Sequence, residues 1–205
     1  MPTEQLLKAT KNPAIQGALG GAAGGALISA LTSKKARQNL LKAGGVVAVG
    51  GLAYKAYQMY RDNQGQAQPA QALERDRFEA ETTSPDTVTL LLDAMIAAAN
   101  ADGHLSMSEK QRIWDQAVEY DLPPMALAHL SDQLDAPPTV ASIAARAHST
   151  EVKVEVYTAS VLAMDENCEA GESHLQRLAT HLELPQQLTA AIHNRLSNAT
   201  AWQGM

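Results

Sequence analysis

Apolar residues recur at helical spacing from about residue 86 to the end of the chain. TVTLLLDAMIAAANA (87–101) is apolar nearly all round and predicts a central, covered helix. A second helix is predicted over 107–120. A Leu-Pro-Pro step opens a third over 124–134, with proline in the first turn where no N–H is needed. Asp135-Ala-Pro-Pro ends it. A short helix over 139–147 and longer ones over 149–164, 170–183 and 186–202 complete the pattern. Ser149 and Thr150 are natural N-caps for the fifth. VKVEVY (152–157) alternates as a strand would, but Val154, Tyr157, Val161 and Met164 share one helical face. The fold expected is an all-α bundle of about seven helices over 85–205.

The first sixty residues follow another pattern. Lys11 and Lys34 bracket 22 uncharged residues, NPAIQGALGGAAGGALISALTS, enough to cross a bilayer as a helix. Gly17, Gly21 and Gly25 repeat every fourth residue, a spacing that lets two such helices pack closely and self-associate. A flexible Gly/Ala segment in water is the alternative. A shorter run, AGGVVAVGGLAY, lies between Lys42 and Lys55. Snorkelling lysines and a belt of Tyr54, Tyr57 and Tyr60 make residues 40–60 a second candidate crossing. A cleaved signal peptide fits less well, because no A-x-A site precedes Lys34. Residues 1–61 are thus expected to form a membrane-anchoring segment touching lipid through 12–60. Residues 62–84 read as a linker: its Gln/Ala/Pro start cannot bury a core. Within it, ALERDRFEAE predicts a short helix with Phe78 docked on something.

Charge sharpens this division. Residues 1–61 carry eight Lys or Arg and one acid, a net of +7; residues 62–205 carry eight and 21, a net of −13. A basic apolar head suits an anionic lipid surface, and an acidic domain repels nucleic acid. The basic residues place the C-terminal domain on the outer, periplasmic side of a bacterial inner membrane if 40–60 crosses alone or forms a hairpin with 12–33, and inside if 12–33 crosses alone; the outer side is the expectation. One cysteine, Cys168, excludes an internal disulfide and a Cys-based zinc site. Aromatics are only 4%, so Ala, Leu and Met fill the core, which favours helices.

Two parts of the domain align with each other. AMIAAANADGHLSMSEKQRIWDQAVEYDLPP matches YTASVLAMDENCEAGESHLQRLATHLELPQ, with Asp102 on Asp165 and Glu109 on Glu172, both at an offset of 63. After a one-residue deletion, Ile113 falls on Leu175, Ala117 on Ala179, Leu122 on Leu184 and Pro123 on Pro185. Each half is an apolar helix, an Asp, a loop, a Glu opening a second helix, and a Leu-Pro step into a third. Internal duplication with a pseudo-two-fold arrangement follows. Ser106-Met-Ser-Glu109 fits a capping box, with Gly103 ending the preceding helix. In the second copy Glu169 replaces the capping serine, yet the Asp-to-Glu spacing persists. Carboxylates about 4 Å apart repel by roughly 4 kcal/mol at an effective dielectric of 20. Were both loops to meet at one pole, a hard divalent ion, Ca²⁺ or Mg²⁺, would be the natural bridge.

AMIAAANADGHLSMSE with its second copy resembles the tellurite-resistance TerB-like family, and within it the YebE-type proteins of bacterial inner membranes. The resemblance covers about 86–200. It implies a helical bundle with an acidic metal-binding patch, whose implied ligands fall on Asp102, Glu109, Asp165 and Glu172. It also implies a role in metal or envelope stress, with no established reaction. The chain departs from its own first loop in carrying Glu166-Asn167 where Gly103-His104 stand.

Other candidates are weaker. Glu166 and Glu169 read as solvated loop acids or outer partners of an ion. His104 and His174 lie near the acid pairs, a conceivable mixed site, though helix-surface histidines are commoner. Acidic neighbours disfavour a Cys168 thiolate. Trp114 reads as core and Trp202 as a packing or interface residue. No catalytic or nucleotide-binding motif occurs. The function expected is therefore non-enzymatic: a membrane-anchored scaffold or sensor with a divalent-cation site and an unknown protein partner. The alternative is a purely structural interaction module whose acids are caps and solvated charges.

Overall fold

A computed structural model describes residues 46–64, 75–82, 84–119, 124–164 and 169–201. Among these every regular element is helical: α1 (Val46–Asn63), α2 (Arg75–Thr82), α3 (Pro85–Ala99), α4 (Met107–Glu119), α5 (Pro124–Asp135), α6 (Val140–Arg146), α7 (Thr150–Ala163), α8 (Glu169–His181) and α9 (Gln186–Ala201). The expected helices from residue 85 onward are all present, and VKVEVY is helical.

α3 and α7 pack on each other at the centre. Leu91, Ala94 and Met95 of α3 and Val154, Val156 and Ala159 of α7 are fully buried. Both are covered on several sides, α7 by α1, α2, α8 and α9, and α3 by α2, α5, α6 and α8. That enclosure is why neither sequence shows a wide polar face. Local chemistry sets the ends. Pro85 opens α3. The Ser149 hydroxyl accepts from Val152 N–H at 3.2 Å at the start of α7, and Thr139 caps α6 through Ser142 N–H at 3.2 Å. Gly103, at φ +79, takes the left-handed turn after α3 that a side chain would disfavour.

The duplication is visible in the order of elements. A buried helix, a loop, a second helix and a Leu-Pro step into a third occur as α3–α4–α5 and again as α7–α8–α9. α6 joins the two triplets and packs against both α3 and α8.

α1 departs from expectation. It packs against α2, α7 and α9, with Val49, Ala53 and Ala56 buried at helical spacing. Phe78 of α2 is fully buried and meets the Tyr54 ring edge-on at 5.7 Å and the Tyr57 ring at 6.2 Å. These tyrosines, read from sequence as an interfacial belt, grip α2. Arg77 of α2 also reaches Glu151 of α7 at 3.7 Å. The described part of 40–60 is thus a helix of the bundle, and the end of the expected linker is a second one. A small-residue apolar face suits a helix neighbour as well as it suits lipid. No helix among the described residues is long and apolar enough to cross a membrane. The 12–33 stretch, with Gly17, Gly21 and Gly25, lies outside the described residues.

Candidate functional site: a polar cleft between the two repeats

The first acidic loop is held by its own backbone. Asn100 Oδ1 accepts from Leu105 N–H at 3.2 Å, and Asp102 Oδ1 accepts from His104 N–H at 2.9 Å. The latter is an Asx turn, which occupies one oxygen of an exposed carboxylate. His104 Nδ1 lies 2.9 Å from Asp102 O. Ser106 precedes α4, accepting from Lys110 N–H through its carbonyl and placing Oγ 3.0 Å from Ser108 Oγ. Glu109 lies in the first turn of α4; its side chain is outside what is described. In the second loop Asp165, Glu166, Asn167 and Cys168 lie outside the described residues. Glu169 and Glu172 occupy the first turn of α8, exposed, where carboxylates favour a helix start. Among the described residues no three His, Cys, Asp or Glu side chains group as metal ligands would.

A different carboxylate is buried. Asp93, in the middle of α3, is 1% exposed. One oxygen accepts from His129 Nε2 of α5 at 2.7 Å, and the other from the Arg146 guanidinium of α6. Arg146 and His129 keep part of each side chain in water, so the charges are compensated where the acid is driest. Three helices are tied at one atom group. This arrangement is a brace: each carboxylate oxygen is engaged by a side chain from a different helix.

A half-open cleft of about 370 Å³ runs between the end of α3, the start of α6 and one face of α8. Ala97, Asn100 and Ala101 supply the first wall, Pro137 to Ala141 the second, and His174, Arg177 and His181 the third. These last three share a face because they recur at three and four residues on α8. His174 is 4% exposed and its Nε2 has no hydrogen-bond partner. Burial, aided by the nearby Arg177 charge, pushes its pKa down to about 4. The ring is neutral at pH 7. His181 is exposed, and its Nδ1 donates to Arg177 O at 2.9 Å. Glu172 sits on the other side of α8, where its charge acts on His193 of α9. The pKa of His193 is pushed down by burial, partly offset by Glu172. His193 Nε2 in turn meets Tyr157 OH at 3.1 Å, and burial pushes that phenol up to about 12.

The sequence placed His174 near the acid pairs but not as a buried ring; the spacing of 174 and 181 was visible, the enclosure was not. Asp93 stands alone as an acid in an apolar run, a signal that could have marked it. Trp114 packs on the core as expected, and Trp202 lies outside the described residues.

No curated protein and no solved structure matches the chain. A family of proteins of unknown function, DUF533, matches residues 14–196, from the Gly-rich stretch to α9. The chain therefore belongs to the DUF533 family.

Proposed function

We propose that the chain is a non-enzymatic recognition domain, tethered to a membrane by its Gly-rich N-terminal stretch, that senses or holds a ligand between its two repeats. The observation that carries this is the cleft: α3 of the first repeat and α8 of the second line it together, with the connecting segment between them. An occupant touching both repeats binds only their packed arrangement and stabilises it by mass action. A partner protein can read that state. Support for the tether is the 22-residue uncharged stretch at 12–33 within a segment of net +7. A role in metal or envelope stress goes with the TerB-like resemblance.

The test is a fragment screen by saturation-transfer NMR on the full chain in detergent, beside Ala141→Trp. Ala141 is exposed on the wall of the cleft, so a large side chain there blocks it without entering the core. Fragments that bind the native chain and not the variant support the reading. Absence of any such fragment sinks it.

A divalent ion on Asp102, Glu109, Asp165 and Glu172 is a second bridging ligand. The observation favouring it is the Asp-to-Glu spacing, kept in both loops while the capping serine is not.

A further inference from the structure

The lining chemistry of the cleft selects its ligand. Arg177 is the charged side chain among the residues lining it. Among the described residues no carboxylate lines it, so a hard metal ion finds a guanidinium where it needs oxygen ligands. Asp102 follows Ala101 at the rim, but one of its oxygens already accepts the His104 N–H. Glu172 is not among the residues lining the cleft.

Two ring nitrogens flank the cation along α8. His174 Nε2 is buried without a partner, an arrangement that costs stability unless something supplies the missing bond. With its Nδ1 proton given to Arg177 O, a neutral His181 ring has only the Nε2 lone pair left, so it accepts and leaves the anion to Arg177 and His174. Ala97, Pro137, Pro138 and Val140 make the remaining surface apolar. The volume stands near the lower end of the range for small-molecule sites.

Resting on the reading of the cleft as a ligand site, we infer that it takes a small oxyanion with a short apolar body, a carboxylate or a phosphomonoester. Arg177 binds the anionic head through two N–H groups. His174, with the proton on Nε2, donates to an outer oxygen, and the proline-lined wall covers the body.

The experiment is NMR of the full chain carrying ring-¹⁵N histidine, with the His174 signal assigned by His174→Gln. The probes are butyrate, butyl phosphate, the neutral butyramide, and phosphatidate vesicles against phosphatidylcholine vesicles. Butyrate or butyl phosphate should move the His174 ring signal, and butyramide should not. Arg177→Gln should weaken binding at least ten-fold, and Ala141→Trp should abolish it. The inference fails if butyramide binds as well as butyrate, or if Arg177→Gln leaves affinity unchanged. It also fails if only phosphatidate vesicles act, since the ligand is then a lipid surface. If cleft-directed fragments bind but none prefers an anion, this inference falls while the ligand-site reading stands. If nothing binds in the cleft, both fall.

Discussion

Two side chains carry the sharpest predictions at the scale of single residues. His174 titrates near 4 in the folded chain and near 6.5 unfolded, because burial disfavours its charged form. The unfolded state therefore binds more protons between these values, and stability falls as pH falls through that window. The neutral ring's contribution is complete above pH 6.5 and gone below pH 4. The loss is about 3 kcal/mol over the window. His174→Gln should flatten this part of a stability-against-pH curve measured by urea denaturation, while His148→Gln, at an exposed position, should not. Asp93 gives a second test. Arg146→Met leaves a dry carboxylate with His129 alone and should cost about 3 kcal/mol. Adding Asp93→Leu to Arg146→Met should restore much of that, since no uncompensated charge then remains. Denaturation midpoints of the two variants decide it. Asp93 was legible as an anomaly in TVTLLLDAMIAAANA. Its partners, 36 and 53 residues away, were not, because nothing local specifies which helices meet.

Helices were more legible than their neighbours. Caps, prolines and period placed α3 to α9 to within about two residues, since these signals act within one turn of chain. α1 shows the limit. An apolar stripe records that something covers it and leaves open whether the cover is lipid or protein. Here the cover is α9, α7 and α2. Phe78 is the contact that decides the issue at this scale, because it joins two elements assigned from sequence to anchor and linker. Phe78→Ala removes a fully buried ring from the Tyr54 and Tyr57 pair and should cost about 3 kcal/mol. Native-state hydrogen exchange should show α1 and α2 losing protection together, ahead of α3 and α7. Equal loss across the chain would mean that α1 and α2 are no separate unit.

For the molecule as a whole the open issue is what couples its two repeats. The packed pair α3 and α7 joins them through the core, and α6 joins them at the surface. The acidic loops add a third link only where an ion spans them. Asp102→Asn is a clean probe. Asparagine keeps the side-chain oxygen that accepts His104 N–H, so the turn survives and only the charge is lost. Glu172→Gln likewise removes charge from an exposed first-turn position. If the acids share an ion, saturating Ca²⁺ or Mg²⁺ at about 100 times Kd stabilises the full chain by about 2.7 kcal/mol. For a domain of this size that raises Tm by about 5–10 °C, and either substitution removes the rise. If the acids are caps and solvated charges, the melting temperature ignores the ion. Glu172→Gln then costs about 0.5 kcal/mol through the helix terminus, with or without metal. Thermal melts of the three chains with Ca²⁺, Mg²⁺ and chelator separate the two cases, because only a shared ion makes the effect of the substitution depend on its presence.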